Sequence, residues 1–330
     1  MTFNIGFIGL EGHYGAILGD IPSRRDTRLS AIATSDGDAL NRMKGHHAVD
    51  ASTCFYLDYL EMLSKEKLDI VTICLPDGER AQVIRDCAQA GTHIITEKPL
   101  GMSMEDLSAI RKAIEDSRVQ LSMLLTMRFE GTYLTLKEIV EQGHIGEVIQ
   151  MTAQKSYKLG QRPEWMKHKS TFSGIIPYIG IHAIDLLRWI SGREFVSAAA
   201  FQSNVSHPEI GDMEDNATVI LHMDNGGTAS VRLDYLRPLI APSHGDATMR
   251  IAGSQGVVEV TNDGKDVTLM TASKPPEPVQ IPPSRSFLSD FLESLKGGRR
   301  HLIPVEDIFR VTEICLKARE AAQKGEIVAI

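Results

Sequence analysis

The chain has 330 residues, enough for two domains of ordinary size. Hydrophobic residues make up 42% and charged residues 24%, a globular mixture whose core needs no disulfide or metal staple. Lys+Arg 35 against Asp+Glu 43 leaves a net charge of -8, which argues against nucleic acid as a partner. No run of about 20 apolar residues is available to span a bilayer, and the N-terminus lacks the basic region of a signal peptide. Cys54, Cys74, Cys87 and Cys315 are scattered, with no CxxC pair and no zinc-ligand spacing. Free thiols, no metal site and a cytoplasmic location are the expectations.

Apolar runs alternate with helical patterns through the first third. Strands are predicted at Phe3 to Leu10, Leu29 to Thr34, Ile70 to Leu75 and His93 to Thr96, with a helix over Gln82 to Ala90 that stops at Gly91. Strands apolar throughout and separated by helices imply a parallel, doubly wound sheet covered on both faces. From about Met123 the texture changes. A strand-like Leu121 to Thr126 leads to a helix over Tyr133 to Gln142, a strand over Val148 to Tyr157 and an apolar helix over Tyr178 to Ile190. Strands then follow one another directly: Val196 to Gln202, Ala217 to Met223, Thr228 to Tyr235, Ala247 to Ile251 and Val257 to Thr261. Asp224-Asn225-Gly226-Gly227 is a hairpin turn between two of them, so this half reads as α+β with an antiparallel sheet. Pro275 to Pro283 reads as a connector, and helices over Phe287 to Leu295 and Glu306 to Lys324 end the chain. The expected division is residues 1–122 and 123–330.

Gly9-Leu10-Glu11-Gly12-His13-Tyr14-Gly15 follows the first strand and opens a helix, where backbone N–H groups can approach a pyrophosphate. Its G-x-x-G-x-x-G spacing is one residue longer than the dinucleotide fingerprint. The acid that would grip an adenosine ribose belongs at the end of the second strand. Thr34 and Ser35 stand there instead, with Asp36 two positions late, so NAD and NADP both remain open.

Ala88-Gln89-Ala90-Gly91-Thr92-His93-Ile94-Ile95-Thr96-Glu97-Lys98-Pro99-Leu100 closely resembles a segment of the Gfo/Idh/MocA oxidoreductases, named for glucose–fructose oxidoreductase and inositol dehydrogenase. Leu75-Pro76-Asp77 is similar to that family's T-P-N turn, with Arg80 where histidine is common. Met127-Arg128-Phe129, Gly143 to Val148, Arg162-Pro163-Glu164-Trp165, Ser173 to Asp185 and Ile251 to Glu259 extend the resemblance over nearly the whole chain. It implies an N-terminal Rossmann domain, then an α+β domain with a large, mostly antiparallel open sheet, through which homodimers or homotetramers form. NAD or NADP would lie against Gly9, Gly12, His13, Tyr14, Gly15, Thr34, Ser35, Leu75, Pro76, Glu97 and Lys98. Lys98, Tyr178 and His182 match the family's catalytic positions, Tyr178 standing where aspartate is usual.

Chemistry supports that carry-over independently. Removing hydride from a carbinol requires a base for the O–H proton, and a cation stabilises the developing alkoxide. Lys98 suits the second task and His182 the first, since histidine titrates near neutrality. Tyr178 and His182, four apart, would share a helix face, and Asp185 could orient the His182 ring. Tyr157, Arg162, Trp165 and Asp185 are candidates to contact substrate. The resulting expectation is an NAD(P)-dependent oxidoreductase acting on a secondary alcohol of a sugar, inositol or related polyol. Two rivals stand beside it: a glycosidase-type enzyme using NAD transiently, and an inactive cofactor-binding regulator.

Overall fold

β1 (Phe3–Ile8) is buried on both faces and leads into the single turn α1 (Tyr14–Leu18), in a computed structural model that describes residues 2–330. There follow β2 (Thr27–Ala33), α2 (Gly37–Met43), β3 (Cys54–Tyr56), α3 (Tyr59–Lys65), β4 (Ile70–Ile73), α4 (Asp77–Gln89), β5 (His93–Thr96), α5 (Met104–Ser117) and β6 (Leu121–Met123). The strands lie in the order β3-β2-β1-β4-β5-β6, every pair parallel. This is the doubly wound arrangement that the apolar runs predict. The reversal of strand order beside β1 sets the carboxyl ends of β1, β4 and β5 at one edge of the sheet, where such folds bind ligands. Local chemistry fixes the helix starts: Asp36 accepts from the amides of Asp38 and Ala39, and Ser103 and Asp106 form a reciprocal capping box.

The second unit contains α6 (Gly131–Glu141), β7 (Val148–Tyr157), α7 (Ile181–Ser191), β8 (Phe195–Ser203), β9 (Asn216–Met223), β10 (Thr228–Asp234), β11 (Gly245–Gly253), β12 (Gly256–Thr261), β13 (Asp266–Thr271) and β14 (Lys274–Pro278). Together with β15 (Val328–Ala329), the strands form a nine-stranded sheet in the order β14-β13-β12-β11-β7-β10-β9-β8-β15. Only β7 and β10 pair in parallel. Burial alternates cleanly along β9, so one sheet face enters the core and the other stays open. The expected connector at Pro275 is corrected: Lys274–Pro278 is the edge strand β14, a place where proline costs no ladder bond if its missing N–H faces outward.

Compactness divides the chain at Thr126 rather than at residue 122, and discontinuously. Residues Met1–Thr126 group with Ser286–Phe309, and Met127–Arg285 with Arg310–Ile330. The segment carrying α8 (Phe287–Leu295) is fastened to the first unit by a buried chain of polar side chains. Ser122 Oγ lies 2.8 Å from His301 Nε2, and His301 Nδ1 lies 2.6 Å from Asp290 Oδ2. The last long helix, α9 (Val305–Lys324), begins immediately afterwards.

Candidate functional site

In the first unit, Gly9, Gly12, Leu75, Pro76, Glu97 and Lys98 follow the carboxyl ends of β1, β4 and β5, and Thr34 and Ser35 that of β2. Gly9 and Gly12 take φ values of 74° and 68°, a region that disfavours side chains. A Cβ on Gly9 would strike the Cys74 carbonyl, and one on Gly12 the Glu97 carboxylate. Gly15 differs, for nothing lies within 4 Å of the space its Cβ would fill. Beneath the turn, Glu97 is buried; its Oε1 accepts from the His13 amide and lies 2.8 Å from His13 Nδ1. Its Oε2 accepts from the Lys98 amide at 3.2 Å. Burial pushes the Glu97 carboxyl upward, but the His13 bond and the charges of His13, Lys98 and Arg80 outweigh it and hold it at about 2. Glu97 is therefore an ionised strut under the glycine turn.

Arg80 performs a second bracing task that sequence reasoning noted only as a departure from the family. It is buried and pairs with Asp77 at 2.9 Å. Its guanidinium also donates to the carbonyls of Leu75, at 2.8 Å, and of Pro99. One side chain thus joins the Leu75-Pro76 turn to the Glu97-Lys98-Pro99 turn. The signal was the Asp77 and Arg80 pair, three apart at a helix start. Lys98 is buried just beyond β5.

At the end of β2, the Thr34 amide donates to the Tyr56 carbonyl at 3.1 Å, and Ser35 is exposed. Asp36 spends Oδ1 on capping α2, and its Oδ2 lies 3.8 Å from Arg42. Arg42 therefore lies beside the end of β2.

In the second unit, Tyr178 lies on a π-turn, Ile176–Gly180, and His182 is buried in the first turn of α7. The regular helical period begins only at Ile181, so four-residue spacing does not by itself put both rings on one face. Tyr178 meets Phe172 and Trp165 edge-on, with ring centroids 5.2 and 6.0 Å apart. Arg162 stacks on Tyr235 at 4.3 Å, and Tyr157 stacks on His244 at 5.1 Å. Arg162 Nε and Trp165 Nε1 are buried without an acceptor among the described residues. Both oxygens of Asp185 accept from buried Arg128, at 2.6 and 2.9 Å, an ion pair that the sequence pattern does not announce.

Lys155 on β7 was missed. It is buried, and its ammonium donates to Met127 Sδ at 2.9 Å. Burial pushes it down to about 8, with the Glu130 and Asp263 carboxylates opposing the fall. Its signal was a lysine on the apolar face of a strand, in step with Met151 and Ala153.

Residues 3–125 match the model of an oxidoreductase family with an NAD-binding Rossmann fold, and residues 133–259 match the GFO/IDH/MocA C-terminal domain. The chain belongs to the Gfo/Idh/MocA oxidoreductases. It is 26% identical to inositol 2-dehydrogenase of Rhizobium meliloti over 264 residues, 79% of this chain and 76% of that protein. It is 28% identical to myo-inositol 2-dehydrogenase of Thermotoga maritima over 272 residues, 81% of this chain and 78% of that protein. A solved Thermotoga maritima structure, whose name goes no further than oxidoreductase, is 34% identical with a TM-score of 0.93, covering 99% of this chain and 100% of the other.

The protein is a nicotinamide-dependent enzyme by class, with NAD or NADP as its cofactor. The residues present fit that group. No described residue is bonded to the Gly12, Tyr14 and Gly15 amides, and the empty space over Gly15 is open to a ligand. Because α1 is one turn long, its dipole is small, and those amides are what would meet a pyrophosphate. No helix is long and apolar enough to cross a membrane among the described residues.

Proposed function

We propose that the protein moves hydride between nicotinamide and a secondary alcohol of a sugar, inositol or related polyol. The observation that carries this reading is Lys98: a buried lysine at the carboxyl edge of the parallel sheet, in a turn that Glu97 ties to the glycine turn. Bound nicotinamide supplies the hydride acceptor or donor. Lys98 places a compact positive charge where the carbinol oxygen becomes an alkoxide. His182 accepts the O–H proton. Tyr178 has traded the carboxylate usual in the family for a phenol held among Trp165 and Phe172, so it shapes an apolar wall and donates a hydrogen bond. The inositol dehydrogenases among the relatives support a polyol substrate. Arg162 Nε and Trp165 Nε1, buried donor atoms without acceptors, suit the oxygens of such a molecule, and the Tyr157 ring suits its C–H face.

Glu97, Leu75 and Pro76 shape the cofactor site, while Gly9, Gly12, Tyr14, Gly15, Thr34 and Ser35 approach the dinucleotide. A homodimer or homotetramer through the open face of the nine-stranded sheet accompanies this reading. Phe201, Ala199, Thr218 and Ile220 share that face by register, and Phe201 and Ile220 are exposed on it. The test is a panel of inositols, sugar alcohols and aldoses, each with NAD and NADP, following formation of reduced nicotinamide. Turnover confined to polyols, with the product a ketone at a ring or chain carbinol, supports the proposal. Cofactor binding without turnover across the panel contradicts it.

A further inference from the structure

Charge is sorted by face at one end of the nine-stranded sheet. Asp234 and Asp246 both flank Ser156 in register, and Asp246 lies 3.6 Å from Arg237, so these acids belong to the face opposite Lys155 and Tyr157. The core-side face holds Lys155, then Tyr157 opposite Gly245, and Tyr235, buried two residues beyond Leu233. A Cβ on Gly180 would touch the Leu233 side chain, so this end of the sheet adjoins the π-turn that carries Tyr178 and leads to His182. The acids acting on Lys155 and Tyr157 are Glu130 and Asp263. Lys155 offsets them in part, and Asp263 Oδ1 accepts from the Ala247 amide at 2.9 Å.

Two further cations, Arg162 and Lys158, form no ion pair with a carboxylate among the described residues. Arg162 donates to the Lys158 carbonyl at 3.1 Å, lies 4.3 Å over the Tyr235 ring, and keeps a buried Nε without an acceptor. Lys158 gives its ammonium to the Ala241 carbonyl, in the loop that also carries His244. His244 stacks on Tyr157 and senses the local field. Burial pushes its pKa down first, Arg162 and Lys158 push it further, and Asp263 opposes them least strongly. A guanidinium held flat on a ring, with a donor still unmet, matches the oxygens of a carboxylate or phosphate. We propose that Arg162, supported by the charge of Lys158, is a subsite for an anionic group, so that the substrate is a polyol bearing a carboxylate or phosphate away from its reacting carbinol. The inference rests on the polyol reading above and narrows it: His182 takes the proton at one carbon while Arg162 holds the charged end.

Matched probes test the subsite: gluconate against glucitol for the carboxylate, and glucitol 6-phosphate against glucitol for the phosphate. Binding is read by calorimetry on protein saturated with reduced cofactor, and turnover separately by formation of reduced nicotinamide. Wild type should bind one charged probe at least about tenfold more tightly than glucitol, the size of a charge-assisted hydrogen bond. Arg162→Gln should bring that ratio close to one. Lys158→Met leaves the Arg162 stack and its carbonyl bond in place and should cut the ratio by about two- to threefold, one partly screened charge, which keeps the test alive if Arg162→Gln does not fold. A wild type that binds neither charged probe more tightly than glucitol, or a preference that survives intact in both variants, overturns the proposal. Selective binding of a charged probe without turnover of any polyol supports the subsite and counts against the oxidoreductase reading alone.

Discussion

The two units solve opposite electrostatic problems. Under the glycine turn the buried charges are paired: Glu97 with His13 and the turn amide, Arg80 with Asp77 and two turn carbonyls. Around Tyr178 the walls are aromatic rings, and polar atoms such as Arg162 Nε and Trp165 Nε1 lack acceptors. A cofactor shared by many enzymes is served by a preorganised backbone. In the proposed function, the substrate is served by side-chain donors that need complementary oxygens. Mutations in the two regions should therefore fail differently, the first in affinity and the second in rate.

The largest loss is expected in the second unit. General-base catalysis is worth about 10² to 10⁴, so His182→Ala should reduce turnover on that order. Dinucleotide affinity should stay within a few fold, because the glycine turn is untouched. Rates across about pH 6 to 10 with the best polyol check this. A near-normal His182→Ala enzyme would mean that the proton leaves by another route.

Lys155→Met probes the same unit through stability. The buried ammonium sits at about 8, against an ordinary 10.5. Between those values the unfolded chain binds a proton the folded one has released, so Lys155 makes stability rise with pH through that window. Below it, the charged group costs up to about 3 kcal/mol. Urea melts should show Lys155→Met more stable than wild type at pH 7 and the gap closing towards pH 10.5. An unchanged gap would mean that the lysine is solvated. Tyr178→Phe should have a smaller effect, no more than about tenfold in rate, since the ring contacts with Trp165 and Phe172 survive. If it proves more damaging than His182→Ala, the phenol is the proton carrier.

The sequence was most legible where structure is local. The strand at His93 to Thr96 matches β5 residue for residue, and Val148 to Tyr157 matches β7, because period and flanking turns both mark their ends. The glycine turn was readable for the same reason. Three other features depend on partners distant in sequence. Asp185 is 57 residues from the arginine that takes its oxygens. Ser286–Phe309 joins the first unit through Ser122, His301 and Asp290, which no pattern links. The π-turn before α7 breaks a spacing that looked purely helical. The candidate site divides similarly: Gly9, Gly12 and Glu97 could be named from order alone, whereas Lys155 and Arg80 acquire meaning only from burial and neighbours.

In the proposed function Lys98 does chemistry in a turn built for binding, and Lys98→Met separates those functions. Gly15→Val is its companion, because Gly15 has open space where Gly12→Val would collide with Glu97. Calorimetry with NAD and NADP, paired with turnover of the best polyol, is the decisive measurement. Lys98→Met should retain cofactor affinity within a few fold and lose about 10² to 10³ in rate, while Gly15→Val should lose cofactor affinity itself. A Lys98→Met enzyme with near-normal turnover would contradict the account.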